Sequence, residues 1–387
     1  MPRFPHPAPS ALGLSDRVFS RLAARAQGRS VIALHVGDTW RDPFPAAQAE
    51  AQRSAANPRL HNYAPVQGEP ALLDAALRHL QRRAGIAPDR SLLQVVSGAT
   101  PGLGAVVDAL VSPGDEVLLP SPFWPLIRGT IHRRGAVAVE VPFYTRLGTE
   151  GFDPEAALEA AVTPRTVAVY VNTPHNPTGV IVDDPTLAAI ARVAARHDLW
   201  IVCDEVYEDL WLGDAAPPSP WARDDFRART VAVHSVSKSY GLAGARVGFA
   251  HGPPEAMEAL RGVQTFTTYC APRPMQLGAA RALDDGAAWL DESRELYREA
   301  ARRAADALGV PPPPAGTFLF VDLRPHLAPS EDPAGFLERC LDAGVLLTPG
   351  SASGRDYADW ARLCFTIVPP DVLDEALARL RPLFGRG

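Results

Sequence analysis

Residues 166–179 read TVAVYVNTPHNPTG, a run of β-prone residues followed at once by a loop of asparagine, histidine, proline and glycine. A strand that is apolar at nearly every position, rather than at alternate ones, is buried on both faces, as in a parallel sheet covered by helices. Working outward, the pattern recurs. Ser91–Val96, Val117–Leu119 and Ala136–Val141 precede it, and Leu199–Val202, Thr230–Val233 and Arg246–Ala250 follow it. Helical spacing separates them, through Leu103, Val106, Val107 and Leu110, and again from about Asp184 to His197. The expectation is an α/β, doubly wound, mostly parallel sheet domain over 46–272. Beyond Pro253 the pattern changes to long helical stretches, notably Gly286–Leu308. After the proline run Pro311–Pro314 come strand patterns at Thr317–Leu323, Val345–Leu347 and Arg362–Ile367, with helices at Pro333–Ala343 and Val372–Phe384. These predict a smaller α+β domain over 273–387, entered by a long connecting helix and joined by an N-terminal arm, residues 1–45.

Composition narrows the function. The chain has 387 residues and a formal net charge of −6, which gives no electrostatic footprint for nucleic acid. No apolar run reaches the roughly 18 residues of a membrane helix, and the start, Met1 to Ser10, is proline-rich rather than a signal peptide. Cys203, Cys270, Cys340 and Cys364 are far apart, without the spacing of a zinc ribbon or a disulfide framework, and no metal set is expected. The reading is a soluble, cytoplasmic enzyme or binding protein.

One count stands out. Of 38 lysines and arginines, only Lys238 is a lysine. Where any cation would serve, this chain uses arginine, so the surviving amine points to chemistry that guanidinium cannot do. An amine can lose its proton and condense with a carbonyl, whereas guanidinium stays protonated. Around it, four strand ends carry polar residues: Ser97-Gly98-Ala99-Thr100, the loop 172–179, Cys203-Asp204-Glu205-Val206-Tyr207, and His234-Ser235-Val236-Ser237-Lys238, with Arg246 eight residues on. Open α/β sheets bind ligands at such ends.

Pyridoxal 5′-phosphate (PLP) suits every member of this set. Lys238 would form a Schiff base with its aldehyde. Asp204 would pair with the ring nitrogen, and Tyr207 and Asn176 would donate to the phenolate oxygen. Ser235, Arg246 and the backbone amides of Gly98, Ala99 and Thr100 at a helix start would hold the phosphate. Trp124, within Ser121-Pro122-Phe123-Trp124-Pro125, would stack on the ring. His175 and His234 read as packing residues, since Lys238 already moves the proton.

With NTPHNPTG at 172–179, Asp-Glu-Val-Tyr at 204–207, Ser-Val-Ser-Lys at 235–238 and Arg246-Val-Gly, the chain resembles the fold-type I PLP-dependent aminotransferases of class I/II over about residues 31–370. That resemblance implies a large sheet of the seven-stranded type with a smaller α+β domain formed by both termini. It implies PLP as cofactor and a ping-pong transfer of an amino group from an L-amino acid to a 2-oxo acid. It also implies that Lys238, Asp204 and Tyr207 are catalytic and that Arg362 clamps the substrate's α-carboxylate. Finally, it implies that Tyr63 reaches the neighbouring subunit's phosphate in a homodimer with shared active sites. A β-eliminating C–S lyase on the same cradle is the alternative.

Two stretches depart from the family pattern. Gly37-Asp38-Thr39-Trp40 replaces a Gly-x-Pro-Asp-Phe segment that closes over the substrate. Gly37 and Trp40 are therefore expected at the substrate pocket, with Trp40 narrowing it and Asp38 favouring a cation if it faces inward. Pro272-Arg273-Pro274 replaces small hydroxyl residues, which leaves Arg273 either to contact phosphate or to clamp an acidic side chain.

Overall fold

The computed structural model describes residues 21–385; the first 20 residues of the expected N-terminal arm, including its proline-rich start, lie outside them. Among the described residues, twelve strands fall into three sheets: β1 Ile32–Ala33, β2 Leu93–Val96, β3 Glu116–Ser121, β4 Val137–Pro142, β5 Thr166–Asn172, β6 Trp200–Asp204, β7 Thr230–Ser235, β8 Gly248–His251, β9 Phe318–Asp322, β10 Val345–Leu346, β11 Thr348–Pro349 and β12 Trp360–Cys364. The large sheet has seven strands in the order β2-β8-β7-β6-β5-β3-β4. All neighbours in it are parallel except β8, which runs antiparallel to both β2 and β7. The α/β reading of a large, mostly parallel sheet beside a smaller sheet region is correct.

The continuous apolar strands arise because each face has its own core. Leu119, Val202 and Val233 point into one core, with Leu103 and Val106 of the helix Ala99–Leu110 and Leu260 of the helix Pro254–Thr267. Their neighbours Leu118, Ile201 and Ala232 point into the other, with Leu187 and Ile190 of the helix Asp184–Arg196. Alternate residues of a pleated strand face opposite sides, so both sides must be apolar. That last helix starts where the sequence dictates. The Asp183 carboxylate accepts from Thr186 N at 3.0 Å, and a proline lies in the first turn.

The smaller region holds the sheet β11-β12-β9 and the pair β1·β10. The helix Ala287–Leu308 packs against it and ends at Gly309, whose φ of 68° is a left-handed cap. The parallel pairing of Ile32 with Val345 attaches the N-terminal segment to the C-terminal one. Most strand boundaries differ from the sequence reading by a residue or two, and two of the differences are instructive. β12 is Trp360–Cys364 rather than Arg362–Ile367, because beyond Cys364 the chain leaves the sheet and Phe365 N donates to Thr317 O. β8 begins at Gly248 rather than Arg246, because Arg246 has a φ of 54° and breaks the extended run.

Candidate active site

Strand register aligns the polar ends. Asn172 of β5 lies opposite Asp204 of β6, and Asp204 lies opposite Val233, two residues before Ser235. These ends line a cavity of about 650 Å³ together with Lys238, Arg246, Tyr207 and Asn176. Gly98 caps the helix Ala99–Leu110 with no side-chain hydrogen bond, and Ala99 and Thr100 of its first turn also line the cavity. Unsatisfied amides and the positive helix end therefore face the ligand space.

Asp204 is fixed at the cavity floor. Its Oδ2 accepts from Tyr170 OH at 2.6 Å and its Oδ1 from Val206 N at 3.3 Å. Burial raises its pKa to about 6, against the opposing effect of those two hydrogen bonds. Among the described residues, no cationic group hydrogen-bonds to this carboxylate. Lys238 follows β7 on the short helix Val236–Ser239, and its Nζ donates to Gly37 O at 2.6 Å. Burial lowers its pKa; the Asp38 carboxylate resists this, while Arg246 and Arg362 reinforce it. Arg362 of β12 donates to Asn176 Oδ1 at 3.0 Å and to His35 O at 2.9 Å. Its guanidinium lies 4.3 Å over the Phe318 ring, and its buried Nε has no hydrogen-bond partner among the described residues.

Cavity walls and donor set fit a phosphate-bearing aromatic aldehyde. An added Cβ at Gly98 would come within 2.5 Å of Arg246 Nη2, so the glycine leaves the arginine room to close the cup at the helix start. Arg246 is held in place by its bond to Ala243 O at 2.8 Å. Ser235 and Ser237 line the same side, 2.8 Å apart at their hydroxyls. Buried Ser97 Oγ has no partner among the described residues. The Trp124 side chain lines the cavity from the start of the helix Pro125–Arg133.

Other expected residues sit elsewhere. Gly37 lines the cavity, and a Cβ there would meet the Phe318 ring at 2.5 Å. Trp40 does not line it: its amide donates to Thr366 O at 2.9 Å, and its ring is 38% exposed. The Asp38 side chain, bound to Thr39 N, does not line it either. Arg273 is held by Glu69 Oε1 at 2.7 Å and by the carbonyls of Pro58 and Arg59, away from the cavity of its own chain. Tyr63 stands 82% exposed on the surface, edge-on to Tyr269. His175 stacks on Tyr144 at 3.5 Å, and burial pushes its pKa down to about 3, so it is a neutral packing residue.

Three features escaped the sequence reading. Asn172 locks the loop, since its Nδ2 donates to Asp204 O and its Oδ1 accepts from Asn176 N; its place inside the quoted motif was the available signal. Arg128 lines the cavity but is one of 37 arginines. Behind the cavity lies a buried network in which Glu208 Oε1 contacts His234 Nδ1 at 2.7 Å and His79 Nε2 at 3.1 Å, while His234 Nε2 contacts His251 Nε2 at 3.0 Å. Burial alone would lower the His234 pKa, but the Glu208 and Glu205 carboxylates outweigh it and raise it to about 9.

Residues 29–380 match the family described as aminotransferase class I and II. The chain is 34% identical to an arginine–pyruvate transaminase of Pseudomonas aeruginosa, over 94% of this chain and 93% of that one. It is 33% identical to an aspartate/prephenate aminotransferase of Thermus thermophilus, over 94% of each. The structure of N-succinyldiaminopimelate aminotransferase from Mycobacterium tuberculosis superposes with a TM-score of 0.88 at 31% identity, covering 96% of this chain and 98% of that one.

Proposed function

The chain belongs to the class I and II aminotransferase family, and from that premise we propose that Lys238, Asp204 and Tyr207 carry its reaction in the cavity at the β5–β7 strand ends. The enzyme is a transaminase whose cofactor is PLP, acting on an amino acid and a 2-oxo acid. Bound PLP supplies an aldehyde for amine exchange and a protonated ring that withdraws electrons from the substrate's Cα. The observation that carries the residue assignment is the convergence, in one cavity, of the chain's single lysine, a buried carboxylate, an uncapped helix start and two arginines.

Each residue has a task set by its surroundings. Lys238 Nζ would hold the cofactor through its amine and, when free, would take the proton from the substrate's Cα. Its burial favours the neutral form that a base needs. Asp204 keeps the ring nitrogen protonated. The Asn176 Oδ1 already accepts from Arg362, which leaves Nδ2 to donate into the cavity that Tyr207 also lines. Gly98, Ala99, Thr100, Ser235 and Arg246 would hold the phosphate, and Trp124 would pack against the ring. Arg362, which lines the cavity, binds the α-carboxylate through its guanidinium. Gly37 closes the substrate side. The C–S lyase alternative gains no support, since the relatives are named for amino transfer.

A homodimer is part of the proposal. Tyr63 is 82% exposed, beside Tyr269 at 46%, and Phe266 is 93% exposed, an aromatic surface that a second copy would cover. A cytoplasmic location suits the four free thiols; among the described residues, no helix is long and apolar enough to cross a membrane. The test is chemical. Borohydride reduction of the PLP-loaded protein should fix a pyridoxyl mass on the peptide containing Lys238, and a single turnover with an amino acid should release pyridoxamine phosphate and one 2-oxo acid. A pyridoxyl mass elsewhere, or pyruvate and ammonia without pyridoxamine phosphate, would overturn it.

A further inference from the structure

Four cationic side chains line the cavity, Arg128, Lys238, Arg246 and Arg362, against a single carboxylate, Asp204. The proposed reaction accounts for three of the cations. Lys238 is taken up by the cofactor, Arg246 meets phosphate, and Arg362 meets the substrate's α-carboxylate. Asp204 is matched by the ring nitrogen. Arg128 is left over, and it belongs to no motif that the sequence displays.

Its position follows from the helix it sits on. Arg128 lies four residues after Trp124, one turn along the helix Pro125–Arg133, so it shares the face that Trp124 turns to the cavity. The side chain is 24% exposed, and its one ion pair among the described residues is Nη1 to Glu140 Oε1 at 3.2 Å. Glu140 is not its counter-charge alone. The other oxygen, Oε2, accepts from Arg355 N at 2.8 Å and lies 3.5 Å from Arg355 Nε. One carboxylate is thus divided between two guanidinium groups, and positive charge remains in excess at the cavity wall. The Nε and Nη2 donors of Arg128 make no hydrogen bond among the described residues, and neither is sealed from solvent or cavity. The guanidinium also lies 5.4 Å over the Phe123 ring, which fixes its plane without consuming donors.

We propose that Arg128 determines specificity by binding a second carboxylate, on the side chain of the amino acid or 2-oxo acid, so that the enzyme prefers dicarboxylic substrates. This rests on the transaminase site described above. A fork of free donors in a partly desolvated wall suits carboxylate geometry. A cationic side chain would meet an excess of like charge with no acid but Asp204 on the cavity surface. A neutral side chain would leave the Arg128 donors unmatched once water is expelled.

The test compares L-glutamate with L-norvaline, which has the same carbon chain but lacks the second carboxylate. Wild-type holoenzyme should favour glutamate in kcat/KM. Arg128→Gln should lower the glutamate-to-norvaline ratio by about 10- to 100-fold, and Arg128→Lys should restore part of it. Calorimetric binding of glutarate and valerate to the holoenzyme gives a readout independent of turnover: glutarate should lose its advantage in Arg128→Gln. A ratio within about twofold of wild type in Arg128→Gln, or a wild type that prefers norvaline or L-arginine, would overturn the proposal. Release of pyridoxamine phosphate with any neutral amino acid keeps the transaminase reading intact even then. If no amino acid releases it, that reading fails while glutarate binding still reports on Arg128.

Discussion

Two sets of buried charges meet at the ends of β6 and β7 and are balanced in opposite ways. Strand pleating separates them: Asp204 and Ser235 turn to the cavity, while the adjacent Glu205 and His234 turn to the interior. In the interior the charges answer one another, Glu208 against His234 and His79, with Arg83 Nε 3.8 Å from Glu208 Oε2. In the cavity they do not, since cations outnumber the one carboxylate. The inner set stabilises the fold as it stands; the outer set is balanced only by ligands. Placing each charge in one set or the other therefore predicts whether its loss is felt in catalysis or in folding.

The largest effect should come from the outer set. Lys238→Ala is expected to lower transamination by about a thousandfold or more, with the unfolding midpoint of the cofactor-free protein nearly unchanged, as steady-state rates and urea denaturation would show. Asp204→Asn should lower kcat by about 100- to 1,000-fold, because the ring nitrogen loses its anionic partner; single-turnover rates measure this. An unaltered rate in either variant would break the comparison.

The inner set should answer in stability. Glu208→Gln removes the carboxylate that both buried His234 and His79 contact, leaving Glu205 and Asp209 each 4.0 Å away, and should cost about 3–5 kcal/mol in denaturant unfolding, roughly the worth of a broken buried pair. The pH dependence carries the same signature. A histidine with a raised pKa stabilises the fold fully below its unfolded value, and that contribution is lost as pH climbs through the folded one. For His234 the window runs from about 6.5 to about 9, so the cofactor-free protein should melt at falling temperature across it, and Glu208→Gln should flatten the slope. The smallest effect sharpens the boundary of the outer set. Tyr63→Phe should weaken PLP retention by about tenfold if the hydroxyl reaches a neighbouring subunit's phosphate, as equilibrium dialysis would register.

Much of this was legible in the sequence because the relevant signals are local. Strands such as Thr166–Asn172 and Thr230–Ser235 announce burial on both faces, and their polar ends fall into line once the strands are parallel. A single amine among 37 arginines marks its own loop. What was not legible depends on distant contacts. His79, Glu208, His234 and His251 come from four separated segments, and nothing in any one of them forecasts the network. Arg128 looks like every other arginine until the helix after Trp124 is folded against the cavity. The placement of Trp40 follows from a hydrogen bond to Thr366, at the far end of the chain. The antiparallel direction of β8 is likewise absent from its composition, since four buried residues can run either way.

The contact between Gly98 and Arg246 has a consequence for descent. Position 98 holds its backbone at a φ of 88°, and the space a methyl would occupy there already belongs to the guanidinium. Arg246 in turn has a left-handed backbone that few residues with side chains adopt without strain. Neither residue is free to drift while its companion stays, so lineages should inherit the two as one character, although 147 positions of sequence lie between them.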